Sequence, residues 1–448
     1  MADPELSRPD LPTVAATATI TRHVEVHRLA VAGRQASIAR DTGARVCLAW
    51  LRTSRFAAAE TMATATLTLG PDANAFYHRG WARWSTGRPW LAVEDNKQAL
   101  TMYHEAGSRA GEAATLNNIG GVCSSLGLWK DALYFFTEAL PIHRETGDRT
   151  GEANTLTNIG HVHSRLGDRR RALEFFTQAL PIQRKIGNRA GEAVTLNNIG
   201  HVYDRLGDWQ QALEFLSQAL PVRREVGDRA GEANTLTNIG HVHSRLGDRR
   251  RALEFFTQAL PIQRKIGNRA GEAAALNNIG HVYDRLGDWQ QALEFSSQAL
   301  LITRQIGDRA GEAAIINNIG SVCAGLGNRQ QALEFFTQAL LITREIGDQA
   351  GEATALNNIG GMHRGRWALD YYHLALTIVR EVADHAGEAT TRHNIARIHW
   401  EVGDLDQAIQ ELEHVVDLRR KVDHPELEAD VAVLEQLRRQ RAENQRST

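Results

Sequence analysis

Four His–Arg pairs are the groups in this sequence best suited to chemistry: His161 with Arg165, His201 with Arg205, His241 with Arg245, and His281 with Arg285. The members of each pair are four residues apart, which puts both on one face of any helix that carries them. A guanidinium clamps a carboxylate or a phosphate through two parallel hydrogen bonds. An imidazole beside it titrates near neutrality, so the charge of the pair can follow pH. Other chemistry has little to stand on. His161 and His163 are two residues apart and fall on different faces of a helix, so they cannot share a metal as an i, i+4 pair could. Cys123 and Cys323 occupy equivalent places five repeats apart, too far to bridge. No P-loop, GxSxG or CxxC string occurs, and no strand precedes the GxxGE-like strings, so a dinucleotide-binding reading fails. No catalytic residue, no metal site and no cofactor is expected.

The pairs recur because the sequence does. From Gly111 it restarts every 40 residues: GEAATLNNIG at 111, GEANTLTNIG at 151, GEAVTLNNIG at 191, and so on to GEATALNNIG at 351, with a weaker last copy, GEATTRHNIA, at 387. These eight units are the signature of a stacked supersecondary motif with no single globular core. Residues 151–190 and 231–270 are identical at all 40 positions, and 191–230 differs from 271–310 at eight, so an 80-residue block has been copied.

Each unit reads as two helices. In the 151 copy the first is predicted over Glu152–Leu166, with Leu156, Ile159, Val162, His163 and Leu166 spaced three and four apart. Gly167 can take positive φ to end it, and Asp168 can cap the next helix. The second is predicted over Arg169–Ile186, burying Ala172, Leu173, Phe176, Ala179, Leu180 and Ile182, with Gly187 as terminator and Asn188 as cap of the following repeat. Gly160 and Ala172 are small enough to let the two helices cross closely.

The pattern Leu156, Ile159, Gly160, His163, Ala172, Phe176, Ala179 resembles the tetratricopeptide repeat. Leu stands where that family usually has Trp, and Tyr203 and Tyr283 keep the family's Tyr in two copies. The 40-residue form, with NxG in the first helix and LGD at the turn, is most similar to the Pins-type adaptor subclass, and the LNNIG segments resemble kinesin light chain repeats. Similar arrays occur in bacterial multidomain regulators. The resemblance covers residues 111–426. It implies an all-α fold, a right-handed superhelix (α-solenoid) of helix-turn-helix repeats whose first helices line a concave face. HEAT and armadillo repeats have similar lengths, but the Gly-to-Ala spacing disfavours them.

Groove positions follow from the same resemblance. They are Thr157, His161, Ser164 and Arg165; Asn197, His201, Asp204 and Arg205; Thr237, His241, Ser244 and Arg245; and Asn277, His281, Asp284 and Arg285. Stacked helices set successive rungs on the order of 10 Å apart, a ladder suited to an extended peptide carrying acidic groups. The alternative is a solvated polar face with no ligand. In the flanking units Gly121, Ser321 and Gly361 replace His, where small residues would admit a peptide backbone. Asn117, Asn317 and Asn357 remain there. In the kinesin light chain and Pins-type families Asn in this helix contributes to peptide binding, so the resemblance implies that role here. A second Asn recurs in every unit (Asn118, Asn158, Asn198, Asn238, Asn278, Asn318, Asn358, Asn394) and is expected to be structural, through a hydrogen bond to a neighbouring loop. His163 and Cys123 share the position of Tyr203 and are expected in the core. The GDRAGEA loops are expected to be charged, solvated and structural, with Glu174 and Arg184 decorating the convex face.

Elsewhere the pattern decays. Residues 71–110 keep the register through Gly80, Gly87, Ala92 and Ala99, but Arg79 and Asn96 stand at apolar positions. Residues 24–70 are expected to form two or three further helices, residues 1–20 a flexible tail, and 427–448 an amphipathic capping helix. The 351 unit, 351–386, lacks four residues between His363 and Trp367. That is about one helical turn, which predicts a shortened first helix and a narrowed or interrupted groove.

Composition limits the function classes. The 448 residues carry 51 Lys and Arg against 53 Asp and Glu, a net charge of −2, which argues against attachment to nucleic acid or an anionic membrane through bulk charge. Three cysteines fit a reducing compartment. There is no basic start followed by an apolar run, and no apolar stretch long enough to span a bilayer, so a cytoplasmic protein is expected. The reading is a protein-interaction scaffold or adaptor that binds an extended acidic peptide and is not an enzyme. Two alternatives stay open: a regulatory sensor or signalling module acting through residues 1–110, and a phosphatase-like enzyme of the same repeat family. The latter needs a titratable pair in the N-terminal helices, and none is identified.

Overall fold

The computed structural model describes residues 14–421 and 426–447. Among them are twenty-two helices and no strand. The chain divides into two units, Met1–Val242 and His243–Thr448. Within each, helices pack on their hairpin partners and on the next helix along the chain, as Arg149–Arg165 does on Arg169–Lys185 and that helix on Arg189–Leu206, the arrangement of a helix-turn-helix α-solenoid.

The 151 repeat shows why. Its helices run Arg149–Arg165 and Arg169–Lys185. The first begins three residues ahead of the predicted start because Asp148 caps it, its carboxylate accepting from the Gly151 N–H at 2.9 Å. Asp168 accepts from Arg171 at 3.2 Å and Asn188 from Gly191 at 3.0 Å, each satisfying an otherwise orphaned helix N–H. Gly167 and Gly187 take φ of +85° and +69°, a left-handed conformation that ends each helix cheaply only for glycine.

The expected core forms. Leu156, Ile159, Val162, Ala172, Phe176 and Ala179 are all buried, as are His163 and Cys123. Leu166 departs from expectation: it lies at the helix C-cap and is 45% exposed, because the chain has already turned away. The close crossing at Gly160 is real. A Cβ there would sit 2.7 Å from the Phe176 ring and 3.1 Å from the Ala172 carbonyl oxygen.

The loops correct the sequence reading. Glu152 of the GEA string is buried, and two arginines hold it: Arg144 Nε donates at 2.9 Å and Arg149 at 2.5 Å. The same clamp recurs on Glu192, Glu232, Glu272 and Glu312. Arg184 is exposed, as expected, and also donates to Glu192 of the next repeat at 2.9 Å, so it staples repeat to repeat. Glu174 is exposed as expected. A buried carboxylate without partners would carry a large desolvation cost, and the two guanidiniums offset it. Burial pushes the Glu312 pKa up, but the bonds from Arg304 and Arg309 outweigh that and leave it below the usual glutamate value. A lowered folded-state pKa contributes stability that is complete above the ordinary glutamate pKa and lost as pH falls through the folded value. Glu312→Gln is therefore expected to be less stable than wild type at neutral pH, with the gap closing below the ordinary glutamate range. Urea denaturation at a series of pH values measures this, and a gap independent of pH would contradict it.

At the N-terminal end, the three helices Val14–Ala32, Ala36–Arg52 and Phe56–Leu67 precede the hairpin Ala73–Ser85 with Pro89–Glu105. The first starts inside the segment expected as a tail; residues 1–13 lie outside the described residues. In this hairpin the apolar contact is replaced by charge. Arg79 donates twice to Asp95, at 2.7 and 3.0 Å, and Asn96 fills the space beside Gly80. The first helix of the 351 unit, Gln349–Gly361, has 13 residues where Arg149–Arg165 has 17, so the deletion removes its last turn. The C-terminal helix Leu427–Ser447 seats Leu434 and Leu437 against Ala408 and Leu412 of the preceding helix.

Candidate functional site

In the first unit the asparagines organise the face formed by the first helices. Asn158 Nδ2 donates to Asn117 Oδ1 at 3.3 Å, and Thr155 Oγ1 donates to the same oxygen at 3.1 Å. Two repeats on, Asn238 and Thr235 do the same to Asn197, at 3.1 and 3.2 Å. The second Asn therefore bonds to the first Asn of the preceding repeat, not to a loop. The first Asn, assigned to a ligand, has its carbonyl oxygen engaged and turns only its amide N–H groups to other partners. Thr157, also assigned to the groove, is buried: it donates to Ala153 and pairs with Thr195 Oγ1 at 3.2 Å. Thr237 donates to the Ala233 carbonyl.

His161, Arg165, His201 and Arg205 are exposed on these helices, as expected. Tertiary contacts then refine them. The Arg165 guanidinium lies 5.2 Å from the centre of the Trp129 ring, and His161 meets the same ring edge-on at 6.4 Å. Trp129 opens the second helix of the preceding repeat, so it forms a wall between rungs. Desolvation by the surrounding walls, the Arg165 charge and His201 hold the His161 pKa below the ordinary value. His201 is lowered too, chiefly by desolvation; Asp204 opposes the shift, while Arg205, Arg165 and Arg169 add to it. Three arginines and one aspartate thus act on the His201 imidazole.

Gly121 corrects an expectation. The space above it does not lie open to a peptide backbone: a Cβ on Gly121 would lie 2.8 Å from the Trp84 ring. Trp84 Nε1 donates to Ser125 Oγ at 3.2 Å, which fixes the indole there. Beside it is a pocket of about 320 Å³ that Trp84, Asn117, Asn118, Asn158 and His161 help to line.

His241 and Arg245 are exposed on the helix Arg229–Arg245, across which the two units meet in sequence. In the second unit, Asn318 donates to Asn277 at 2.9 Å and Asn358 to Asn317 at 3.3 Å, while Asn357 Nδ2 donates to Thr391 Oγ1 at 2.9 Å. Asn317 is buried. His281 and Arg285 are exposed. Desolvation lowers the His281 pKa, with Asp284 opposing and Arg285 adding, and desolvation raises Asp284 despite both cationic neighbours.

Sequence reasoning missed Trp84 and Trp129. The signal for the second was present: the first position of the second helix alternates Trp129, Arg169, Trp209, Arg249, Trp289, Arg329. Among the described residues no group of three or more His, Cys, Asp or Glu side chains could hold a metal ion, and no helix is long and apolar enough to cross a membrane.

Comparison with curated proteins finds no match. Solved structures similar in fold include three of comparable extent. The apo form of the quorum sensor NprR from B. thuringiensis has a TM-score of 0.56 and 15% identity, covering 76% of this chain and 98% of that one. A Rap protein complexed with Competence and Sporulation Factor has 0.54 and 16%, covering 77% and 99%. A signal transduction ATPase with numerous domains and a tetratricopeptide repeat sensor, from Pyrococcus horikoshii, has 0.54 and 13%, covering 74% and 55%. The tetratricopeptide repeat sequence profile matches residues 111–185, 191–265, 271–345, 312–368 and 351–421. With the hairpins, the Gly-to-Ala crossing and the repeat period in the same register, the chain belongs to the tetratricopeptide repeat family.

Proposed function

We propose that this chain is a protein-interaction scaffold that captures an extended, acidic peptide segment along the first helices of its repeats. The observation that carries this reading is the arginine set around His201, of which Arg165 and Arg205 are exposed. Arg165, Arg169 and Arg205 act together on one imidazole, so a carboxylate entering there meets several guanidiniums at once. Trp129 holds Arg165 in place, which lowers the entropy lost on binding. No catalytic role enters this proposal, and a cytoplasmic setting belongs to it.

A chain with Arg165, Arg205, Arg245 and Arg285 all changed to Glu tests it. Affinity capture from the native lysate, wild type against variant, identifies the bound segment; titration with that segment then measures the loss. Exposed ion pairs contribute modestly each, so four reversals are expected to weaken binding on the order of 100-fold, with the wild-type affinity falling as salt rises. Equal affinity of both chains, with helicity intact by circular dichroism, would overturn the acidic-peptide reading.

A second reading draws on the fold shared with NprR, a quorum sensor, and with a Rap protein complexed with Competence and Sporulation Factor. Here the captured segment is a signal, and residues 1–110 pass the response to an effector. Small-angle scattering with and without the captured segment separates the two: a change in compactness favours the sensor, and an unchanged profile the adaptor.

A further inference from the structure

In the second unit a row of large apolar side chains stands in water on the second helices of three successive repeats. Leu301 lies on the helix Trp289–Ile306 and is 61% exposed. Leu341 holds the same place on Arg329–Ile346 and is 63% exposed. The helix Gly365–Glu381 carries Leu374, 52% exposed, and Trp367, 71% exposed. These two are seven residues apart, about two turns, and so share a face. In the four preceding repeats the place of Leu301 is held by Pro141, Pro181, Pro221 and Pro261. Any residue other than proline restores the helix N–H there, so helix formation explains the loss of proline but not a leucine in water. The third helix continues the row. Gln218 has the repeat register of Leu374, and Arg184 of the preceding second helix donates to it at 3.1 Å. That register therefore leans toward the preceding second helix, which for Leu374 is the one carrying Leu341.

We infer that this row is the contact face of a homodimer, with a second copy of this chain as its occupant. The four side chains expose on the order of 500 Å² of apolar surface, enough for the apolar centre of a standard interface of about 800 Å² a side. The row is also complementary to itself. It spans three successive repeats, so a twofold axis through Leu341 brings Leu301 of one copy to Leu374 of the other and turns each Leu341 toward its counterpart. The surroundings carry little net charge. Gln298, Gln305, Thr337 and Gln338 flank the leucines along their helices. Arg304, Arg344 and Glu345 are already paired, with Glu312, Glu352 and Arg309. Arg366 and Asp370 balance each other on the third helix, and Glu294 and Glu334 stand about two turns from the leucines. The face therefore meets its own copy without the like-charge contacts that reject a partner, and it offers a strongly charged partner nothing to pair with. This inference does not rest on peptide capture. The capture face belongs to the first helices, so a dimer joined through second helices leaves it open and presents it twice.

Sedimentation velocity of the full chain tests the inference. The wild type is expected to sediment as a dimer at about 100 μM. Leu341→Lys alters both sides of the contact at once and is expected to weaken the dimer on the order of 100-fold. Leu341 is exposed within one chain, so this variant is expected to keep wild-type helicity and melting. The axis has its own readout. The three native cysteines are buried, so in Leu341→Cys the introduced thiol is expected to link two copies under mild oxidation. Glu174→Cys, exposed on a second helix of the first unit, is expected not to. The chain with Arg165, Arg205, Arg245 and Arg285 changed to Glu is expected to remain dimeric, which separates this face from the capture face. A monomeric wild type at that concentration, or a dimer that Leu341→Lys leaves intact, would overturn the inference. Failure of Leu341→Cys to link the two copies would overturn the axis through Leu341.

Discussion

Phe176→Ala is expected to destabilise the Arg149–Lys185 hairpin by about 3–5 kcal/mol, the range for removing a fully buried aromatic ring. Phe176 is 1% exposed and lies against the bare backbone of Gly160, so the ring itself fills the space that a side chain on the facing helix would otherwise occupy. Its loss leaves a cavity with nothing on either helix to fill it. Collapse is restrained because each helix also packs on a neighbouring repeat, and the Glu152 and Glu192 clamps tie those neighbours down. Repeats in such arrays depend mainly on their neighbours, so the loss is expected to be local. Hydrogen exchange should show protection falling in residues 149–185 before the rest of the unit, and urea denaturation should give the magnitude. A loss under about 1 kcal/mol would mean that the helices close onto each other when the ring is gone.

Ser296→Leu is expected to have the opposite sign. Ser296 holds the position of Phe176 in its own repeat, where other copies carry Phe136, Leu216, Phe256, Phe336 and Tyr372. It is 1% exposed, and its hydroxyl has no hydrogen-bond partner, so the repeat contains an orphaned polar group where its relatives have an apolar one. The repeat 191–230 differs from 271–310 at only eight positions and accommodates Leu216 against Gly200, fully buried. Replacing the hydroxyl removes the unsatisfied group and buries several methyl and methylene carbons, worth together about 2 kcal/mol. The expected readout is a higher urea midpoint with an unchanged slope. A lower midpoint would show that the Gly280 crossing has tightened around serine and no longer has room for leucine.

The two substitutions share one position, and its burial was legible from spacing alone. So were the hairpins, the caps at Asp168 and Asn188, and the left-handed Gly167 and Gly187. The candidate site was less legible. His161, His201, His281 and their arginines lie exposed on the first helices, where the repeat pattern had put them. Thr157 lies between repeats, Gly121 lies under Trp84, and Glu152, expected in a solvated loop, is buried under Arg144 and Arg149. In each case the residue type was compatible with the expected role, and a partner from another helix took it over.

That division has a physical cause. Helix periodicity, capping and termination depend on atoms within about one turn along the chain, so the order of residues determined them: an eight-unit helical array with a defined face for each residue. Whether a polar group is available depends on what lies across the packing interface. Glu152 became a buried staple because Arg144 and Arg149 converge on it from two helices. Asn118 meets a tyrosine, Tyr77, at the place where Asn158, Asn238, Asn318 and Asn358 each meet an asparagine of the preceding repeat. The sequence by itself determined which residues repeat. Only the tertiary structure decided which of their hydrogen-bonding groups are already used and which are left for a ligand, because such bonds form over distances near 3 Å that helix packing alone sets.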